Sequence, residues 1–140
     1  MLNKILFGGE AGMSFAGNAG ITLLRIFSGV AMAFGHGASK LPPGEGLIER
    51  AGQMGFPAPA LFAWAAALSE FGGGILLAIG FLTRISSFFI AVTMIVALVG
   101  VHAADPFAAQ EKAFLYLFIG LGFLLAGSGD WSVDSYFRKD

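Results

Sequence analysis

Four apolar stretches, at about 19–38, 59–81, 85–104 and 110–126, leave this chain few ways to fold. Each holds roughly 20 residues, or about 30 Å of helix at 1.5 Å per residue, which is the thickness of a bilayer's hydrocarbon core. No water reaches that core, so every backbone N–H and C=O must be satisfied within the segment, and each stretch reads as a transmembrane helix. Short connections between successive spans predict an all-α transmembrane four-helix bundle, up-down-up-down, as a single domain over residues 1–140. The composition agrees: 56% of the residues are hydrophobic and 12% are charged, about half the charged fraction of soluble domains. Both termini then share one side. Lys4, Arg84, Arg138 and Lys139 lie on that side, against Lys40, Arg50 and Lys112 on the other, so the positive-inside bias predicts cytoplasmic termini.

The formal net charge is −1, which points neither to nucleic acid nor to a polybasic lipid anchor. The chain has no Cys, so it performs no thiol–disulfide exchange and supplies no thiolate ligand to a metal or iron–sulfur cluster. Met1 to Asn18 lacks the continuous apolar core of a cleaved signal and reads as a short lead-in.

Between the spans, Pro42–Pro43 stops the first helix and Pro59 suits the first turn of the second. Leu47 to Met54 has the spacing of a short interfacial helix. Gly80 to Arg84 is a tight turn, and Gly127 to Asp130 ends the last span. Asp130 and Asp134 are expected in a solvated tail, with Trp131, Tyr136 and Phe137 as interface anchors.

Chemistry depends on the few polar residues inside the spans. Glu70 shares a helical stripe with Ala66 and Gly74, beside one of Ala65, Ser69 and Gly73. Small residues four apart mark the face where membrane helices approach closely, so Glu70 is expected to point into the bundle. An intramembrane carboxylate there is a functional candidate. Arg25 heads a second stripe with Gly29, Met32 and His36. If both spans are centred on the bilayer, Arg25 lies about 5 Å in depth from Glu70, which predicts an Arg25–Glu70 ion pair. Such a pair is either a clamp on helix register or a switchable site for a proton, an anion or a quinone oxygen. His36, His102 and Glu111 fall near one another in depth, about 11 Å from mid-membrane on the side away from the termini, with Lys40 and Lys112 flanking. They form either a polar pocket or an ordinary solvated rim. Their irregular spacing is no metal motif, and neither a metal nor a haem is expected.

Taken in order, the motifs resemble the DoxX family of small membrane proteins. The matching features are Leu23-Leu24-Arg25, then His36-Gly37 with Lys40, then Gly55-Phe56-Pro57 and Ser69-Glu70-Phe71-Gly72-Gly73-Gly74. Gly80-Phe81-Leu82-Thr83-Arg84, His102, Glu111 and the closing Gly127-Ser128-Gly129-Asp130-Trp131 through Asp134 follow. The resemblance runs from about Ile21 to Asp134. It implies a multi-pass four-helix protein of a bacterial plasma membrane, associated with redox chemistry as a subunit linked to quinone reduction. The positions it carries over are Arg25 and Glu70 as the central pair, with His36, Lys40, His102 and Glu111 as ligand-binding candidates. A quinone ligand, an oxidoreductase partner protein and a homo-oligomer are the associations it raises, beside the lipid bilayer itself. A proton-coupled carrier or channel using Glu70, and a non-catalytic membrane scaffold, are the competing expectations.

Overall fold

The computed structural model describes residues 6–138; Lys4 and Lys139, counted above for orientation, lie outside them. Helix dominates and no strand occurs among the described residues. Helices α1 (Phe15–Lys40), α3 (Pro59–Ile79), α4 (Thr83–Val101) and α5 (Phe107–Ala126) are long and apolar enough to cross a membrane. A short helix α2 (Glu45–Gln53) joins the first two spans, and a last turn α6 (Asp134–Phe137) follows the fourth. Three of the spans begin two to four residues before the apolar runs do, because polar and small residues such as Asn18 and Thr83 are held inside the bundle ends.

Local chemistry sets the helix ends. The Ser14 hydroxyl accepts from the Gly17 N–H at 3.1 Å and caps α1. Pro59 occupies the first turn of α3, where its missing N–H costs nothing. Gly80, at φ 71°, ends α3 in the left-handed region, with Phe81 N–H donating to the Leu76 carbonyl and Gly80 N–H to the Leu77 carbonyl. The α4 start has no cap of its own; the Leu82 and Thr83 N–H groups donate to the Asp134 carboxylate at 2.7 and 2.9 Å. Asp134 is 2% exposed, so the expected solvated tail is corrected. The carboxylate is needed where a helix N-terminus presents unpaired donors and partial positive charge.

Asp130 is also engaged. It accepts from the Gly12 and Met13 N–H groups and the Asn18 amide, and pairs with Arg138 at 2.8 Å. These contacts tie the two ends of the chain together on one side of the bundle. The Asn18 hydrogen bond, followed by those from Met13 and Gly12 and the nearby Arg138 charge, holds the Asp130 carboxyl below its usual range despite some opposing desolvation. A depressed folded value means that this contribution is fully present above the unfolded value of about 3.9 and is lost as pH falls through the folded one. The melting temperature is therefore expected to drop below about pH 4 in part through Asp130. Asp130→Asn should remove that component in melts recorded across the range.

Spans pack in chain order: α1 on α3, α3 on α4 and α4 on α5, with no comparable backbone approach between α1 and α5. The interior is small and polar, with Arg25, Ser28, Ser69, Ser86 and Ser87 buried beside Met32, Leu77 and Ile90. Large apolar groups such as Leu23, Phe27, Phe88, Phe118 and Leu125 face outward, as lipid requires. Gly29, Ala33 and Gly37 line the α1 seam against Gly74 and the Glu70–Phe71 backbone of α3. A Cβ on Gly74 would sit 2.7 Å from the Gly29 carbonyl oxygen, and one on Gly37 would strike the Phe71 backbone.

Gly74→Val is therefore expected to cost about 1–3 kcal/mol, towards the upper end because backbone atoms cannot step aside. Gly72, whose Cβ would meet nothing within 4 Å, supplies the control. Gly72→Ala should be neutral or gain about 0.5–1 kcal/mol. Detergent-denaturation midpoints for the two variants check both values.

Candidate functional site

The glycine seam sets the depth of every polar residue. Because Gly37 meets Phe71 and Gly29 meets Gly74 and Ala78, Glu70 is level with the far end of α1. It lies about 18 Å along the axis from Arg25, at 1.5 Å for each of the intervening residues. The expected Arg25–Glu70 pair does not form. Its premise was that both spans share a midpoint, whereas α1 is 26 residues long and α3 is 21, and close glycine packing decides the register.

Arg25 turns the other way. Its Nη1 donates to the Leu77 and Ala78 carbonyls at 3.2 and 2.9 Å, and its Nη2 to the Trp131 carbonyl at 2.8 Å. Those first two carbonyls belong to the last turn of α3, where helix geometry leaves acceptors unpaired and partial negative charge accumulates. Asp134 supplies a compensating charge. Arg25, 2% exposed, thus locks α1, the end of α3 and the C-terminal segment together.

Glu70, 3% exposed, takes Lys40 as its partner. The Lys40 Nζ lies 2.6 Å from each carboxylate oxygen. The pair borders a cavity of about 240 Å³ between the spans, at the end away from the termini. His36, His102, Lys112 and Tyr116 line the same cavity, over a floor that includes Met32 and Met94. Four of the six residues singled out from sequence thus meet in one place: Lys40, Glu70, His36 and His102. Arg25 does not join them. Nor does Glu111, which is exposed and absent from the lining. On α5 the cavity stripe is Ala109, Lys112, Ala113 and Tyr116, at offsets of three, four and seven, and Glu111 falls off it.

Both histidines come from a local irregularity. The α1 helix widens to a π turn at Ala33–Gly37, which contains His36, and α4 does so at Ala97–Val101, just before His102. Such turns admit an extra residue and re-aim the side chains around them, and they occur often at functional sites. The His36 ring meets the Tyr116 ring edge-on, with centroids 5.5 Å apart. His102 Nδ1 is 2.7 Å from an Asp105 oxygen. A carboxylate accepts, so Nδ1 carries the proton and Nε2 is left for a ligand or a proton. Gln110 donates to the carbonyls of His102 and Asp105 and steadies that turn.

Tyr116 was missed as a site residue. Its signal was legible: one of two tyrosines in the chain, inside an apolar span, one helical turn beyond Lys112. A larger hollow, about 930 Å³, opens on the terminal face beside Asp130, Tyr136 and Arg138. Its charged groups Asp130 and Arg138 already hold each other, so it offers less to a ligand. No group of three or more His, Asp or Glu side chains suited to a metal occurs among the described residues.

A profile described as DoxX matches residues 20–103. A Bacillus subtilis (strain 168) protein named "Putative oxidoreductase CatD" is 34% identical over 121 residues, covering 86% of this chain and 88% of that protein. No solved structure matches the chain.

Proposed function

We propose that this chain, which belongs to the DoxX family, is the membrane subunit of an oxidoreductase system and binds a quinone-type ring in the cavity beside Lys40 and Glu70. The observation that carries this is the cavity lining. A buried carboxylate fixes one ammonium, while a second ammonium, two imidazoles and a phenol surround the same space. Donors thus outnumber the one acceptor charge, which suits carbonyl oxygens or the anionic oxygens they become. The volume, about 240 Å³, lies just below the usual range of roughly 300–1,000 Å³ for ligand pockets, so it fits a single ring. The name of the Bacillus relative supports the redox class.

A bound quinone would supply two-electron, two-proton carrier chemistry. Lys40, oriented by both Glu70 oxygens, would present its charge to a ring oxygen. Tyr116 from α5 and His36, one turn before Lys40 on α1, would be further donors. His102, its Nδ1 held by Asp105, would have Nε2 available to exchange a proton with such a ring. Lacking Cys, the chain leaves electron delivery to a partner protein in this proposal. The cytoplasmic placement of the termini in a bacterial plasma membrane belongs to the same proposal.

Quenching of Trp64 and Trp131 fluorescence by a soluble benzoquinone tests the reading on purified protein. Saturable quenching is expected, weakened about tenfold or more by Glu70→Gln, since one lost charge-assisted hydrogen bond is worth about 1.5–3 kcal/mol. Non-saturable quenching identical in both proteins would sink the proposal.

A further inference from the structure

We infer that the ligand is an amphiphile that enters from within the bilayer, through the seam between α1 and α5, and that its apolar chain lies in the groove below the cavity. This rests on the reading of the cavity as a ring site. Consecutive packing leaves α1 and α5 without close backbone approach, and there the His36 and Tyr116 rings meet instead. The cavity borders this seam, since Met32, His36 and Lys40 come from α1 and Lys112 and Tyr116 from α5.

Along the same two helices, towards the termini, runs a groove of about 410 Å³ lined by Ile21, Leu24, Leu115, Phe118, Ile119 and Phe123, with Gly122 at its base. On α5 the groove begins at Leu115, next to the Tyr116 of the cavity, and on α1 its residues Ile21 and Leu24 lie about 12 Å or more closer to the termini than Met32. From Leu115 to Ala126 it extends about 16 Å along the axis. One seam therefore offers charged and hydrogen-bonding groups at one end and only apolar groups along the rest, which is the polarity of a ring carrying a long chain. Lipid tails are as apolar as the groove, so the groove acts by packing and orientation rather than by transfer from water.

Gly122 gives the test. A Cβ there meets nothing within 4 Å, so a larger side chain at this groove-lining position starts into open space rather than into a helix contact. Affinities would be measured in phosphatidylcholine nanodiscs for two probes, a dimethoxy-methyl-benzoquinone without a chain and the same ring bearing a decyl chain. Gly122→Trp is expected to weaken the decyl probe about tenfold and leave the chainless probe unchanged. Gly122→Leu should act in the same direction and less, and serves if the Trp variant does not fold. Equal affinities in variant and parent for both probes would overturn the groove assignment and leave the cavity assignment standing. Failure of both probes to bind the parent would overturn both assignments, and binding of the chainless probe alone would overturn the groove assignment. A drop in native mass from oligomer to monomer in Gly122→Trp, with decyl binding intact, would assign the groove to a second copy of the chain and overturn the inference.

Discussion

Replacing Arg25 with Met is expected to cost about 3–5 kcal/mol of stability while leaving the quinone affinity of the folded molecules unchanged. The side chain is 2% exposed and its guanidinium donates to three carbonyls from two separate parts of the chain. Hydrogen bonds from a charged donor contribute about 1.5–3 kcal/mol each, and the Ala78 and Trp131 carbonyls add the desolvation cost of losing that donor, whereas the Leu77 carbonyl keeps the Gly80 N–H. The Asp134 charge at the start of α4 would also lose its counter-charge. Arg25→Lys should recover less than half of the loss, because an ammonium cannot span acceptors in α3 and the C-terminal segment as a planar fork does. Detergent-denaturation midpoints measure the first effect, and quinone titration of the folded fraction measures the second.

Lys40→Met is expected to destabilise the protein more than Glu70→Gln, although each removes the same ion pair. The two partners differ in exposure: the Lys40 side chain is 35% exposed and that of Glu70 is 4%. Removing Lys40 strands a carboxylate inside the bundle. Removing the Glu70 charge leaves an ammonium that still reaches water. Breaking a fully buried pair costs about 3–5 kcal/mol; with one partner partly solvated, about 2–3 kcal/mol is expected for Lys40→Met. Glu70→Gln keeps the shape and an acceptor oxygen, and should cost about 1 kcal/mol or less. Both variants should lose ligand affinity. Midpoints for the two single variants and the double variant, read as a cycle, isolate the coupling.

Together these results would separate two polar sites that the sequence makes look like one. Span number, helical class and the inward face of Glu70 were legible because apolar length and stripes of small residues depend on local spacing alone. Depth was not. It depends on how α1 slides along α3, and that is set by Gly29, Gly37 and Gly74 in contact, which no single helix reveals. The error placed Arg25 level with Glu70, where the structure puts Arg25 at the last turn of α3 and groups Glu70 with Lys40, His36 and His102. The role of Asp134 was hidden for a similar reason. A tail aspartate looks solvated until the turn it caps is folded beside it, far away in sequence. Lys112 was already placed beside the outer group, and Tyr116 was within reach, since a spacing of four puts it on the same face of α5. The off-stripe position of Glu111 followed from the same periodicity.

The central claim is that the ligand site lies at Lys40 and Glu70, and that Arg25 is a structural lock. Photolabelling with an azido-substituted benzoquinone in nanodiscs, followed by mass mapping of the labelled residues, tests it most directly. Label is expected on His36 to Lys40 and on Lys112 to Tyr116, and it should be competed away by unlabelled quinone and reduced by Glu70→Gln. Competable label concentrated instead around Arg25 and Trp131, with none near Lys40, would contradict it.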